Sequence, residues 1–260
     1  MNPDVKLTDF TEFFGMTKEE LLKGKITTID NSIKVYLHKK FWPQDDNTAR
    51  VVYEQLEYSA MFLGQMGDNY FSSFENQAKD VENKLKSCNP KEELYLRYGT
   101  PIDHIGKNEK ILDYGCGQAA YPLTLYFMGY HNITLVDVPN HHFRFLEFLC
   151  KKYNIDIKFI PLTDKFANLT EYYDYIICTD VLEHCWEPLN VLRFIVSKVN
   201  PGKLMYISDY YDDAQGIDPS HLKHNFKYQD SKLKINDYSS LGIQLFLYED
   251  NLLRTVWKKN

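Results

Sequence analysis

From about Lys110 onward, the chain alternates short apolar runs with stretches of helical periodicity, and this alternation constrains the fold more than any other feature. Five apolar runs have the length of buried strands, namely KILDYG, HNITLVDV, IDIKFIPL, YDYIICTDV and KLMYISDY. Between them, apolar residues recur at three and four in AAYPLTLYFMGY, HHFRFLEFLCKKY, KFANLTEYY and EPLNVLRFIVSKVN. Strands and helices that alternate in this way form βαβ units. The sequence therefore predicts an α/β domain with a doubly wound, mostly parallel sheet.

The C-terminal part of the chain adds two further strands to this pattern. The runs GIQLFLYE and LLRTVWKK are separated by the turn dipeptide DN, so we expect them to pair antiparallel as a hairpin at the sheet edge. The segment VNPGK, before the fifth apolar run, is expected to close a helix and turn into the next strand. The predicted sheet then has seven strands, within a domain that spans residues 106–260.

Residues 1–105 have a different pattern and are predicted to form a helical N-terminal cap over the substrate region. TKEE has the spacing of a capping box, and NTARVVYEQLEYSAMFLGQM and CNPKEELYLRYGTPI have helical character. Eight aromatic residues are concentrated in this part of the chain: Phe41, Trp42, Tyr53, Tyr58, Phe62, Tyr70, Phe71 and Phe74. We interpret them as core packing, with the lining of a substrate pocket as the alternative.

Charge and cysteine content exclude several classes of protein. The formal net charge is −6 and no Lys/Arg-rich block is present, which argues against a nucleic-acid partner. The five cysteines form no CxxC or Cys/His pair, which favours a reduced, cytoplasmic compartment over disulfides or a zinc site. The N-terminus does not resemble a signal peptide. No run approaches the ~18 apolar residues of a membrane span, so we expect a cytoplasmic protein with no membrane partner.

The stretch ILDYGCGQA places an acid and two glycines between a strand and a helix. Gly115 can form a tight turn, and Gly117 allows a ligand to approach the main chain. Asp113 would repel a pyrophosphate and suits a cationic or amine-bearing ligand. Asp137 ends the next strand, where an acid can accept hydrogen bonds from both ribose hydroxyls of an adenosine. Each acid could instead cap a helix, but two acids at consecutive strand ends favour a ligand at the switch point of the sheet.

ILDYGCGQA, LVDVP and YDYIICTDVLEHCWEPLNVLRFIVSKVNPGKLMYIS together resemble a class I S-adenosylmethionine-dependent methyltransferase. They are similar to the branch that carries D-V-L-E-H after the fourth strand, as ubiquinone-biosynthesis-type enzymes do. The resemblance covers roughly residues 108–258, including the terminal hairpin. It implies a Rossmann-like methyltransferase fold, with S-adenosylmethionine as cofactor and S-adenosylhomocysteine as product. Ala119 stands where many members have a third glycine, a small change because alanine is small.

The resemblance also implies a set of cofactor-binding residues: Asp113, Gly115, Cys116, Gly117, Asp137, Val138, Leu162, Thr163, Asp164, Thr179 and Asp180. The turn that follows Asp113 would flank the methionine portion, whose ammonium suits a carboxylate. Asp137 would bind the ribose hydroxyls, and Val138 would lie against the adenine. Thr179 and Asp180 would lie near the methionine end and the transferred methyl. Leu162, Thr163 and Asp164 would form a loop near the adenine edge. This loop departs from the Asp-Ala pair that is usual in the family.

An alcohol acceptor also needs a general base, and histidine is the side chain best tuned for that work near neutral pH. The candidates are His221 and His224 in DPSHLKHNF, and His184 in VLEHCW. His184 belongs to a motif that members with different substrates share, so we interpret it as part of the cofactor site. For His221 the alternative is a solvated or helix-capping residue. The nearby acids Asp209, Asp212, Asp213 and Asp218 could join His221 in a Mg²⁺ site, but solvated turn acids are favoured and no metal is predicted.

The sequence thus predicts an S-adenosylmethionine-dependent O-methyltransferase for a small-molecule acceptor. Aromatic and polar residues together suit a sugar, a nucleotide-linked sugar or a phenol, and we favour a carbohydrate such as a nucleotide-linked sugar. The absence of an N/D-P-P-Y/F/W signature argues against DNA. An NAD-dependent oxidoreductase is one alternative, disfavoured by Asp113 and by Ala120 in place of the last fingerprint glycine. A non-catalytic family member that binds the cofactor is another.

Overall fold

The computed structural model describes residues 7–15, 17, 70–87, 104–139, 141–162, 168–185, 187–209, 227–228, 230–248 and 254–260. Its helices are α1 (Leu7–Phe14), α2 (Tyr70–Ser87), α3 (Ala120–Phe127), α4 (His141–Lys152), α5 (Pro188–Ser197) and α6 (Ser231–Ser239). Its strands are β1 (Ile111–Tyr114), β2 (Ile133–Asp137), β3 (Lys158–Pro161), β4 (Tyr173–Thr179), β5 (Val199–Ser208), β6 (Ile243–Tyr248) and β7 (Arg254–Lys259). A short 3₁₀ helix, Leu182–His184, follows β4.

The seven strands form one sheet in the order β3-β2-β1-β4-β5-β7-β6. The first five pair in parallel, and β7 pairs antiparallel with both β5 and β6. The strand order reverses between β1 and β4, which makes their carboxyl ends the switch point where ligands bind in open α/β sheets. This arrangement confirms the predicted doubly wound sheet and its terminal hairpin.

Helices cover both faces of the sheet, which explains why its central strands are apolar throughout. All four residues of β1 are buried. Ile111 packs in the core on the side of α2, α3 and α4, whereas Leu112 packs on the side of α5 and α6. No helix in the described part of the chain combines the length and the apolar character that a bilayer crossing needs.

Helix α2 attaches the N-terminal region to the sheet domain through one apolar face. Its buried residues recur at helical spacing: Tyr70, Phe71, Phe74, Ala78 and Val81. They share a core with α3 and β1. Core packing is therefore the correct interpretation for these three of the eight aromatic residues, and the other five lie outside the described residues. The boundary at residue 105 stays a prediction.

Helix α1 is fixed to α4 by a buried acid. Asp9 is 1% exposed, and its carboxylate lies 2.8 Å from the Lys152 ammonium. The Tyr153 hydroxyl donates to the same carboxylate at 2.7 Å. The ring of Phe13 also packs on Phe145, with centroids 5.2 Å apart.

Two local predictions were wrong. KFANLTEYY was expected to be helical, but residues 168–172 are not helical and β4 begins at Tyr173. The burial of Leu169 and Tyr173 in the core on the side of α5 and α6 accounts for this path, and Glu171 between them forms exposed ion pairs with Lys110 and Lys158. VNPGK was expected to be the turn before the fifth strand, but it lies inside β5, where the register with β4 shifts.

Candidate cofactor site

The turn between β1 and α3 is held in place by β2. The main-chain N–H groups of Gly115 and Cys116 both donate to the Val136 carbonyl, at 2.8 and 3.1 Å. The next N–H, that of Gly117, donates to Asp137 Oδ2 at 2.7 Å. Each donor of the turn thus points to the end of the neighbouring strand. These bonds fix the main chain at the edge of the sheet where the carboxyl ends of the parallel strands lie, the crest of the sheet.

Glycine is required at the two positions of this turn for different physical reasons. Both have positive φ, +76° at Gly115 and +48° at Gly117. A Cβ on Gly115 would lie 2.3 Å from Val181 Cγ2, so the D-V-L-E-H segment packs directly against the turn. A Cβ on Gly117 would meet no atom within 4 Å. Gly117 therefore presents bare main chain to open space, as a site for close approach of a ligand requires.

At Ala119, the small size of alanine was the wrong basis for judging the replacement of a glycine. Its φ is +52° and its ψ is +31°, in the left-handed region. An L-residue there costs roughly 1–2 kcal/mol, and its side chain is buried. The feature that glycine would relieve at this position is backbone strain, and the turn must be held by other contacts to keep it.

Asp113 is a buried acid with a free oxygen. It is 3% exposed, and no group in the described ranges hydrogen-bonds its Oδ1. Burial, and then the negative charge of Asp137, raise the pKa of Asp113 well above its ordinary value. The N-cap position of α3 is occupied by Ala119 and not by this acid. Such an oxygen needs a donor or a cation, and the ammonium of a methionine moiety supplies both.

Asp137 joins the glycine turn to the loop after β2. Its Oδ2 accepts from Gly117 N, and its Oδ1 accepts from Val138 N at 2.6 Å. Burial raises the pKa of Asp137 to about 6, against the opposing effect of these two N–H donors. Each carboxylate oxygen has a second lone pair, so both can still accept from ribose hydroxyls.

The other predicted cofactor residues within the described ranges lie along the same crest. Val138 and Leu162 are half-buried, and Leu162 N donates to the Asp137 carbonyl at 2.7 Å. At the end of β4, Thr179 is half-buried and Asp180 is exposed with a φ of +53°. Left-handed residues other than glycine concentrate at functional sites, and Asp180 lies at the switch point.

The contacts of Cys116 and His184 within the described residues are structural. The Cys116 side chain is buried, and burial raises the pKa of its thiol well above the ordinary value. Its predicted role in cofactor binding therefore rests on its main chain. His184 is half-buried at the end of the 3₁₀ helix, and its N–H donates to the Val181 carbonyl.

Four predicted site residues, Thr163, Asp164, His221 and His224, lie outside the described residues, as do Asp212, Asp213 and Asp218. Asp209 is described, and its interpretation as a solvated turn acid was wrong. It is fully buried, forms an ion pair with Lys234, and accepts a hydrogen bond from the Tyr238 hydroxyl at 2.5 Å. An acid committed in this way is not a ligand for a metal. Over the described ranges, no group of three His, Cys, Asp or Glu residues could hold a metal ion.

Sequence reasoning missed two residues that shape the turn. Val181 was part of a recognised motif but had no role, and Tyr70 was one aromatic among eight. The Tyr70 hydroxyl donates to the Gln118 carbonyl, 48 residues away in the chain. No local pattern signals either contact, because both depend on segments that meet only in the folded sheet.

The methyltransferase-domain family matches residues 85–244 of the chain. The chain belongs to this family. It is a class I S-adenosylmethionine-dependent methyltransferase fold, as the strand order and the glycine turn already indicate. The match includes β1 to β5 and the first two residues of β6, and with them every described residue of the crest.

Curated relatives extend this finding. A ubiquinone biosynthesis O-methyltransferase of Rickettsia akari is 28% identical over 105 residues, which are 40% of this chain and 41% of the relative. One of Aeromonas salmonicida is 25% identical over 140 residues, 53% of this chain and 58% of the relative. The chain spans about half the length of the curated relatives it matches.

Solved structures are similar at lower identity. TehB from Haemophilus influenzae is 20% identical, with a TM-score of 0.45 over 66% of this chain and 68% of that chain. SAM-bound CalS10, an amino pentose methyltransferase from Micromonospora echinaspora, is 10% identical, with a TM-score of 0.45 over 72% of this chain and 92% of that chain.

S-adenosylmethionine is the cofactor of this family, and the site fits it. The buried Asp113 Oδ1 has no hydrogen bond within the described ranges and would suit an ammonium, and Gly117 leaves space beside the main chain. Asp137 offers lone pairs to the ribose hydroxyls. The sulfonium and ammonium of S-adenosylmethionine would also bring positive charge to Asp113 and Asp137, the two acids whose pKa values are raised.

Proposed function

We propose that the protein transfers the methyl group of S-adenosylmethionine to a hydroxyl of a small-molecule acceptor, a carbohydrate or nucleotide-linked sugar. The observation that carries the proposal is the buried Asp113 Oδ1, unsatisfied within the described ranges, at the end of the strand that leads into the open main chain of Gly117 at the switch point of the sheet. A pyrophosphate would be repelled by this acid, whereas an amino-acid ammonium is attracted.

The chain's own residues bind and orient in this proposal. When bound, the cofactor supplies an electrophilic methyl group on a sulfonium. Asp113 holds the ammonium end and Asp137 holds the ribose end, so the two acids fix the direction of the molecule along the crest. Thr179 and Asp180, at the end of β4, face the region of the reacting group. Orientation of this kind is the main contribution that a protein can make to such a transfer.

A hydroxyl acceptor requires removal of a proton, and His221 is the base we propose, with His224 and His184 as weaker candidates. The names of the curated relatives support oxygen as the methylated atom, since they are O-methyltransferases. Those names also favour a second candidate acceptor, a ring hydroxyl of the kind a ubiquinone-biosynthesis enzyme methylates.

Cofactor binding tests the proposal first. Titration calorimetry should show binding of S-adenosylhomocysteine and none of NADH. Asp113→Asn should weaken the binding of S-adenosylhomocysteine by about 1–3 kcal/mol, because a charge-assisted hydrogen bond is lost. The same change should raise the stability of the ligand-free fold, because a buried charge is removed. The matched control is Asp156→Asn, the same change at an exposed acid, which should leave affinity unchanged. Binding of NADH, or unaltered affinity in the Asp113 variant, would contradict the proposal.

Acceptor class is decided by methyl transfer from radiolabelled S-adenosylmethionine. Nucleotide-linked sugars and catechol-type phenols are offered in parallel at equal concentration. Label in the sugar supports the proposal, and label only in the phenol transfers it to the second candidate. Tight cofactor binding with no label in any acceptor would favour a non-catalytic role.

A further inference from the structure

The hydroxyl of Tyr70 reaches from the N-terminal helix into the cofactor turn. Tyr70 begins α2 and is 5% exposed, and its hydroxyl donates to the main-chain carbonyl of Gln118. Gln118 lies between Gly117, which presents bare main chain, and the strained Ala119. The contact therefore joins the region before the sheet domain to the part of the turn that faces the cofactor.

Helix α3 has no i+4 donor for the Gln118 carbonyl. The residue four positions after Gln118 is Pro122, and proline has no N–H to donate to a preceding carbonyl. The same peptide group is held from its other side, since Ala119 N donates to the Cys116 carbonyl at 2.6 Å. With both of its polar atoms bonded, the peptide between Gln118 and Ala119 is fixed in orientation. That orientation sets the φ of Ala119, which is the strained angle.

Tyr70 is itself rigidly held. Its ring makes edge-to-face contacts with Phe71 and Phe74, with centroids 5.2 and 4.9 Å apart. Two turns further along α2, the Thr124 hydroxyl of α3 donates to Gln77 Oε1 at 3.2 Å. The two helices are thus in register beside the turn, and the hydroxyl of Tyr70 has a defined position rather than a choice of rotamers.

We infer that Tyr70 is a positioning residue for the cofactor, acting through the Gln118 peptide. Without its hydroxyl, the turn can relax the strain at Ala119 and rotate the peptide, which displaces the main chain at Gly117. The N-terminal region therefore contributes to cofactor affinity as well as to the acceptor side. This inference rests on the proposed cofactor site, and it adds a residue that lies before the family's match at residue 85.

The test compares Tyr70→Phe with Gln77→Met. The first removes the hydroxyl and keeps the packed ring. The second removes a hydrogen bond between the same two helices that does not reach the turn. Both should lower the melting temperature slightly. Only Tyr70→Phe should weaken the binding of S-adenosylhomocysteine in calorimetry, by about 2- to 12-fold, the equivalent of one hydrogen bond.

Amide hydrogen exchange of the ligand-free protein provides a readout that does not depend on the cofactor. Exchange at the Ala119 N–H should accelerate in Tyr70→Phe and stay at the wild-type rate in Gln77→Met. Wild-type affinity and exchange in Tyr70→Phe would overturn the inference, as would equal effects of the two variants. If the wild-type protein binds no S-adenosylhomocysteine, the proposed function fails instead, while the exchange result still decides whether Tyr70 holds the turn.

Discussion

At the scale of single residues, the glycine turn separates packing from ligand access. Gly115 and Gly117 share positive φ, but only Gly115 faces a neighbour, Val181, where a Cβ would clash. Gly117 faces open space. The same substitution at the two positions therefore tests two different properties of the protein, its stability and its affinity for the cofactor.

Gly115→Ala should destabilise the fold by about 2–5 kcal/mol, the sum of left-handed strain and overpacking against Val181. Gly117→Ala should cost only about 1–2 kcal/mol, from strain alone. It should nevertheless weaken S-adenosylhomocysteine, because its methyl group occupies the space beside the main chain. Urea denaturation and calorimetry measure the two effects. Equal destabilisation, or full cofactor affinity in Gly117→Ala, would contradict this division.

The sequence predicts single residues well where position along a strand determines their place. Asp113 and Asp137 could be assigned to one crest, since parallel strands end at the same edge of a sheet. The strain at Ala119 could not, because it depends on a peptide orientation held by Tyr70 and Cys116. The burial of Asp209 was also hidden, since Lys234 lies 25 residues away and looks like an ordinary surface lysine in the sequence.

At the scale of elements, α6 is tied to the sheet by a buried ion pair. Asp209 directly follows β5, and Lys234 lies in the middle of α6; they are 0% and 3% exposed. The Tyr238 hydroxyl bonds the second carboxylate oxygen. Removal of one partner from such a pair leaves an uncompensated buried charge.

Lys234→Met should therefore destabilise the protein by about 3–5 kcal/mol in urea denaturation. Tyr238→Phe, which removes only a hydrogen bond to the same charged acid, should cost less, about 1.5–3 kcal/mol. The double variant Asp209→Leu with Lys234→Met should recover most of the loss, because no charge remains buried. A single-variant loss no larger than that of Tyr238→Phe would show that the ion pair is not what anchors α6.

The elements from β1 to β5 were predictable from hydrophobic periodicity, whereas the helices α1, α2 and α6 were not predicted. All five parallel strands, the hairpin and the helices α3, α4 and α5 were predicted, because burial on both faces of a sheet leaves a strong pattern. The error at residues 168–172 has a different origin. There, Leu169 and Tyr173 are buried in the core on the side of α5 and α6, and this tertiary packing overrides a weak helical periodicity.

At the scale of the whole molecule, the cofactor site lowers the stability of the ligand-free fold. Asp113 and Asp137 lie close enough for the charge of one to raise the pKa of the other. No cation within the described ranges forms an ion pair with either acid. The protein thus holds two carboxyl groups with raised pKa values next to a strained turn. Binding of a cationic ligand would offset the loss of stability that they cause. Stability that is given up at a site for the sake of function is a common compromise in enzymes.

This cost has a pH dependence whose sign follows from the pKa of Asp137, about 6 in the folded protein and about 3.9 when unfolded. Between these values the folded state binds more protons, so the contribution of Asp137 to stability falls as pH rises from about 4 to 6. S-adenosylhomocysteine favours the charged acids, so the titration of Asp137 should lower its affinity about fivefold between pH 6 and pH 5. At a fixed ligand concentration, the increase in melting temperature should then be about 3–5 °C larger at pH 7.5 than at pH 5. Asp137→Asn cannot titrate at this position and should reduce that difference, and an equal ligand-induced shift at both pH values would show that the two acids do not face the cofactor.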